Sequence, residues 1–278
     1  MKSTIAWIAT IFVMASGAAP AMAADWGGVK DMGGGVPIPV PAPAPVPTYD
    51  ADSDWYIGLS LGGNLSTDAT LRDSDPNMPV RNSSDLPLSE TFGLMFGRYI
   101  TPSLRWDVAI DYTPNFNLID GMTSYSTSNA FGDQFNVSRD DTVKLSRTTA
   151  LFSLLYDIPT GTRFTPYLGG GVGISWRRLQ RSYTEYSCDA TADPTCSPST
   201  TPTFRGSDSK NQINVAAAVQ AGVSTDLTDS IVWDNGWQML WESGGISIDG
   251  NSVFGNNRLT FKDSVVQQFR SGIRLKFD

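Results

Sequence analysis

Histidine is absent from these 278 residues. Without an imidazole, the usual Ser-His or Asp-His pair of a hydrolase cannot be built. Cysteine is scarce: Cys188 and Cys196 are the only two. They do not have C-x-x-C redox spacing, and a zinc site would want more ligands. Positive charge is in deficit, with 20 Lys+Arg against 28 Asp+Glu and a formal net charge of −8. Nucleic acid is therefore not expected as a partner. Beyond the N-terminus, no run is apolar enough or long enough for a membrane helix.

What is present begins with a positive Lys2, an apolar run from about Ile5 to Ala15, and the A-x-A site Ala21-Met22-Ala23. That pattern predicts a secretory signal peptide over 1–23, its apolar core too short to span a bilayer. No cysteine stands just after the cut to carry a lipid. Cleavage removes Lys2 as the only charge and leaves the mature chain one unit more negative. Next comes "GGGVPIPVPAPAPVP", Gly33–Pro47, with proline at every second position from Pro37. Alternating proline blocks both helix and strand pairing, so the run reads as polyproline II with a reach of about 35 Å, at ~3.1 Å per residue. Residues 24–54 form an N-terminal tether on this reading; a disordered tail with no task is the plainer alternative. In an exported chain, Cys188 and Cys196 read as one local disulfide.

From Trp55 onward, apolar residues alternate. In "LRWDVAIDY", Leu104, Trp106, Val108, Ile110 and Tyr112 share one face, while Arg105, Asp107, Ala109 and Asp111 share the other. Period two over such a stretch predicts a strand with one apolar face. The pattern recurs in "DWYIGLSLGG", "YLGGGVGISW" and "INVAAAVQAGVS". Further strands are expected at Thr91–Ile100, Thr148–Ile158, Trp237–Ser243 and Ser264–Phe277. The Trp237 strand has an open start, near Ile231 on the longer reading, because Asn235-Gly236 suggests a turn or bulge.

Eight strands result, with connections that alternate in length. Turns stand near 101–103, 159–162 and 226–230; long polar segments stand near 67–88, 113–142, 178–211 and 244–260. This predicts an all-β fold: an eight-stranded antiparallel transmembrane β-barrel over 55–278, with short periplasmic turns and long extracellular loops. Both termini then face the periplasm, and the tether hangs below the barrel. A secreted β-sandwich is the alternative, but its inward face would be the apolar one. Here the faces opposite the apolar rows carry Gly, Ser, Gln and charge. Trp55, Tyr99, Trp106, Tyr112, Tyr156, Trp176, Trp237, Trp241 and Phe277 stand near strand ends, as interfacial aromatic belts require.

The chain ends in "RSGIRLKFD". Arg270, Gly272, Leu275 and Phe277 supply a polar residue, a glycine, then two hydrophobic residues two apart. This resembles the signal read by the barrel assembly machinery, although Asp278 follows the usual terminal aromatic. Together with the signal peptide, the proline tether, "DWYIGLSLGG" and "FTPYLGGGVGISW", the end "SGIRLKF" makes 55–278 resemble the small surface-antigen barrels of alphaproteobacteria, within the OmpA/Opa-like porin-family group. The resemblance implies an abundant outer-membrane barrel of a Gram-negative cell and no single biochemical activity.

Outer-membrane barrel enzymes resemble one another in using a histidine base, so no enzyme is expected. Asp107 and Asp111 share a face, and two-carboxylate chemistry is the sharp reading. The bland reading is stronger: charges inside a narrow barrel pair with one another. Arg105, Arg270, Arg274 and Lys276 are the available cations and Glu242 a further acid, all assigned to the lumen. Glycines 169, 171, 173 and 222 are expected to leave some room there. The expected task is structural or surface-exposed, supporting the envelope and making contacts through the loops. A small porin-like channel is the first alternative and a haemin-binding surface protein the second. No cofactor or metal site is assigned. The expected partners are outer-membrane lipid and lipopolysaccharide, the barrel assembly machinery, and peptidoglycan or a host surface.

Overall fold

The computed structural model describes residues 55–68, 70–74, 81–82, 88–198, 200–252, 254–262 and 264–277. The expected signal peptide and proline tether lie outside the described residues. The strands are β1 (Trp55–Asp68), β2 (Thr70–Asp73), β3 (Arg81–Asn82), β4 (Ser89–Thr101), β5 (Leu104–Ser128), β6 (Gln134–Asp157), β7 (Phe164–Asp189), β8 (Phe204–Asp226), β9 (Ile231–Glu242), β10 (Ile246–Ser252), β11 (Gly255–Phe261) and β12 (Ser264–Phe277). No helix among the described residues is long and apolar enough to cross a membrane.

Eight of the strands close a barrel in the order β1-β12-β9-β8-β7-β6-β5-β4. Every pair in the ring is antiparallel, and β1 closes on β12 from Trp55↔Phe277 through Gly62↔Arg270. Closure removes the sheet edges, so no row of backbone groups is left for lipid to meet. One end of the ring carries the three short turns; the other carries the long connections. At the turn end, Leu227 N–H donates to Ile231 O at 2.9 Å and Thr228 Oγ1 accepts from Ile231 N–H at 3.0 Å. That tight turn starts β9 at Ile231, the longer of the two sequence readings.

Period two decides what each face carries. On the outside, Ile57, Leu59, Leu61, Phe92, Leu94, Phe96, Phe152, Leu154, Val172, Ile174, Ile273 and Leu275 are all exposed. At the turn end, Trp55, Phe96, Trp106 and Phe152 join in an aromatic strip with ring centroids 5.1 to 6.4 Å apart. On the inside, Ser60, Arg105, Asp107, Thr149, Ser153, Ser175, Gln220 and Gln238 are buried. Polar inside and apolar outside is the inverse of a water-soluble sandwich and is the pattern of a membrane-spanning barrel. Two sequence expectations change. Tyr99 points inward, 5.8 Å ring to ring from Tyr56, and is no part of the outer belt. The interior also holds a small apolar cluster of Leu151, Ala216, Ala218, Leu240 and Val266.

The long polar segments 113–142 and 178–211 were expected as loops. Most of each is strand: β5, β6, β7 and β8 run on well past the apolar band, pairing out to Ser128↔Gln134 and Phe135↔Asp189. The side-chain parity continues while the polarity inverts. On β6, outward Phe152 and Leu154 give way to Ser146, Lys144 and Thr142; inward Ser153 and Thr149 give way to Leu145 and Val143. The outer environment has changed from lipid-like to aqueous, so the apolar residues change sides. Bulges in β5 after Thr113 and around Leu118 turn both Leu118 and Ile119 inward.

The remaining connections, 69–88 and 243–263, supply a second sheet in the order β10-β11-β2-β3. Its Leu71, Ile246, Ile248, Leu259 and Phe261 pack against Leu118, Val143, Leu145 and Leu179 of the barrel extension. The loop end is thus capped over an apolar core. Nine buried side chains at about 1.5–3 kcal/mol each make this a substantial packing unit.

Candidate functional site

Glycine makes space in the lumen, and tyrosine takes it. A Cβ at Gly97 would collide with the Tyr56 ring, one at Gly222 with Tyr167, and one at Gly206 with Tyr183. Such ring-over-glycine joints brace neighbouring strands. The expected open room at 169, 171, 173 and 222 is therefore not open: Leu155, Ser153 and Tyr167 side chains and strand backbone occupy it.

Around these rings stands a ladder of charge. At the turn end, Arg105 is buried, with Nε 3.1 Å from both oxygens of Asp157. Its Nη1 donates to Tyr56 Oη at 3.2 Å and lies 3.8 Å from Asp107 Oδ2. Tyr56 Oη–H donates to that Asp107 oxygen at 3.3 Å. The guanidinium also lies over the Tyr167 ring, 4.9 Å from its centroid. Arg274 sits 3.1 Å from Asp234 Oδ2 and lies over Tyr56. Arg270 meets Asp111 at 3.2 Å. Midway up, Glu242 reaches across the lumen. It accepts from Arg147 Nη1 on β6 at 3.2 Å, from Ser264 Oγ on β12 at 2.8 Å and from Ser175 Oγ on β7.

Under the cap, Arg181 Nη2 bridges Asp141 at 2.6 Å and Asp73 of β2 at 2.8 Å. Arg177 donates to Gly244 O at 2.6 Å. Arg139 lies over the Tyr183 ring at 4.1 Å, and Ser252 Oγ–H donates to Glu185 at 2.9 Å. These contacts tie both inserted segments of the cap to β6 and β7. Outside the membrane band, Asp249 accepts from Arg258 Nε at 2.7 Å, and this hydrogen bond holds its carboxyl below the usual range.

The residues singled out from sequence fall into place unevenly. Arg105, Asp107, Asp111, Glu242, Arg270 and Arg274 line the lumen and are joined in ion pairs. Lys276 occupies the last inward position of β12, where the lumen opens to water; it pairs at 3.2 Å with half-exposed Asp226 at the turn-end rim. Asp107 and Asp111 are not a facing acid pair, because each has its own arginine. Leu275 and Phe277 face outward, whereas Gly272 faces in and lets the Ser60 side chain approach. Cys188 and Cys196 form the disulfide, beyond the band at the loop end. Asn136 Nδ2 donates to Cys196 O at 3.0 Å and anchors that loop to β6. Asp157, Asp234 and Arg147 were missed: Asp157 holds an inward parity position on an expected strand, Asp234 does so only on the longer reading that starts near Ile231, and Arg147 lies one residue before the expected start at Thr148. The cap ligatures Arg181, Asp141 and Asp73 carried no such signal, since their segments read as loops. Among the described residues, no three of Cys, Asp, Glu or His cluster as a metal site.

No family model matches the chain. Curated relatives include uncharacterized proteins of Brucella abortus (strain 2308) and Brucella suis biovar 1 (strain 1330), each 31% identical over 160 residues, 56% of this chain and 52% of the relative. The chain thus spans about half the length of the curated relatives it matches. Among solved structures it is similar to Neisserial surface protein A, at 17% identity and TM-score 0.40 over 80% of this chain and 97% of that one. It is also similar to the outer membrane protein OprG from Pseudomonas aeruginosa, at 15% identity and TM-score 0.42 over 81% and 96%. Likenesses this loose add nothing to the strand pairing itself, and the barrel assignment rests on the chain's own ring.

Proposed function

We propose that this chain is an outer-membrane β-barrel of a Gram-negative envelope, with a structural and surface-exposed task and no channel activity. The three turns face the periplasm and the capped end faces out, with Trp55 and Phe277 at the periplasmic rim. The carrying observation is the filled interior. Three tyrosines, an ion-pair ladder and the cap occupy the ring. A lumen cavity bounded by Ser60, Met95, Arg105, Asp107, Tyr167 and Gln220 measures about 20 Å³, room for roughly one water. Eight strands leave an interior that side chains can fill.

Lipid and lipopolysaccharide are the partners the outer face suits. The β12 row Ile273, Leu275 and Phe277 is what the assembly machinery would read. The loop-end hairpin presents Phe131, 91% exposed, on a turn held by Asn129, whose Oδ1 accepts from Phe131 and Asp133 N–H. Such a tip suits contact with host or neighbouring surfaces, and the tether would reach toward peptidoglycan. Planar-bilayer recording of the purified chain tests the central reading. No defined single-channel step is expected; a reproducible step would overturn it in favour of the porin-like alternative.

A further inference from the structure

We propose that the outer face of β6, β7 and β8, immediately beyond the apolar band, binds the phosphorylated headgroup of an outer-leaflet glycolipid of the lipopolysaccharide class. The proposal rests on the outer-membrane reading and adds a ligand and its residues to it.

The band ends sharply on these strands. On β7 the outward side chains run Leu168, Val172, Ile174, Trp176 and then Arg178 and Gln180. On β8, outward Val215 and Ile213 give way to Asn211, Ser209 and Ser207. The register sets Trp176 against Ile213 and Thr148, so the border crosses all three strands at one height. The inward face changes from polar to apolar at the same level, which locates the border a second time. A Trp at such a border marks the membrane interface. Arg178 stands two residues further, about 7 Å along the strand, at headgroup depth.

Two cations meet there. Register places Ser146 against Arg178 and Lys144 against Gln180. Lys144 and Arg178 are therefore diagonal neighbours on one face, within reach of each other's long side chains. Both are exposed, and neither makes an ion pair among the described residues. Every lumen arginine of the ladder has a carboxylate; these two like charges lie side by side without one. In a chain of net charge −8 they are no part of a general basic surface. With its amide turned, Gln180 accepts from Arg178 Nε and Nη2 at 3.2 Å and orients the guanidinium fork.

Lys144 borders a trough of about 430 Å³ lined also by Thr142, Gln180, Arg181, Ser182, Ser207 and Ser209, and Arg178 stands one outward position below Gln180. Asp208 also touches it, in register with buried Arg181. An arginine fork and a lysine ammonium match phosphate oxygens, and hydroxyl and amide groups above them match sugar hydroxyls. The lower edge offers Trp176 and Ile213 to acyl chains. A molecule with acyl chains, phosphate and sugar in that vertical order fits the three zones together.

The test uses the full chain in detergent, titrated with rough lipopolysaccharide and followed by native mass spectrometry. The double variant K144Q/R178Q is expected to bind about thirtyfold more weakly, from ~1 kcal/mol per cation near a lipid surface. The control R205Q removes an exposed cation higher on β8 and is expected to change nothing. Dephosphorylated glycolipid is expected to bind wild type as weakly as the phosphorylated form binds the double variant. Equal affinity in wild type and K144Q/R178Q, full retention of dephosphorylated glycolipid, or equal occupancy by inorganic phosphate alone would each overturn the proposal. Outer-membrane fractionation of wild type is measured alongside. Its failure would sink the outer-membrane reading, whereas failed binding by a correctly fractionating barrel sinks the site alone.

Discussion

Glu242→Gln is the most informative single change in the barrel. Glu242 is 1% exposed and touches β12 beside it and β6 and β7 across the lumen. The substitution keeps the volume and one acceptor oxygen, which serves Ser264, while Ser175 turns its hydroxyl to accept from the new amide. It removes the charge, so Arg147, itself 7% exposed, is left buried without its carboxylate at 3.2 Å. Breaking one side of a buried pair costs about 3–5 kcal/mol, because the remaining ion keeps its desolvation penalty. At roughly 2–4 °C per kcal/mol for a domain of this size, the melting midpoint in micelles should fall by on the order of 10 °C. The double variant R147M/E242L removes both ions and should melt within about 1–2 kcal/mol of wild type. Asp249→Asn is the counter-case. Its pair with Arg258 is shorter, 2.7 Å, but 65% and 62% exposed, and its loss should leave the midpoint unchanged. Thermal melts followed by far-UV circular dichroism, with heat-modifiability on gels, provide the readout. If Glu242→Gln melts with wild type while the double variant falls, packing rather than charge holds these strands, and the reasoning is refuted.

Three further outcomes follow from the same structure. Asp73→Ala should free β2 from Arg181; limited proteolysis should then nick 69–88 several times faster while the barrel midpoint stays within a few degrees. Phe277→Asp puts a charge on the outward row of β12 and should lower the amount of protein in the outer-membrane fraction without changing export across the inner membrane; unchanged levels would show that this terminal row is not read. The Asp249–Arg258 contact should depend on pH. Its carboxyl titrates lower in the folded state, so the contribution is complete above the unfolded value, about 3.9, and disappears as pH falls through the folded one. Amide exchange in the β10–β11 hairpin should be flat between pH 7 and 5 after correction for intrinsic rates, rise in strong acid, and lose that step in Asp249→Asn.

Much of the membrane part was legible in the sequence. Wherever lipid lies outside and a polar lumen inside, period two forces apolar residues onto one parity, and "LRWDVAIDY" displays it directly. The same parity identifies Arg105, Asp107, Asp111, Glu242, Arg270 and Arg274 as inward. It did not say which acid meets which base. Arg105 chose Asp157 on the adjacent β6, and Glu242 chose Arg147 three strands away, because strand tilt and the curvature of the ring set cross-lumen neighbours. Beyond the band the signal failed. On β6, "VKLSR" still alternates, but its apolar side is now the inner one and its outer side is Lys and Ser. A reading tuned to apolar-out strands sees only a polar loop.

The alternation, the two cysteines and the missing histidine are local facts. They determined by themselves that the chain forms a polar-lined barrel, that one short loop is clipped, and that imidazole chemistry is absent. Whether the lumen is open depends on contacts between residues far apart in the chain. Tyr167 fills the space that Gly222 leaves, and Asp73 meets Arg181 at 2.8 Å across 108 positions. Neither 69–88 nor 243–263 can bury its Leu and Ile residues alone, so the cap has no signature within either segment. Ring closure brings the two beside the inward leucines of β5, β6 and β7, and only then does removing that surface from water favour a sheet packed on the loop end.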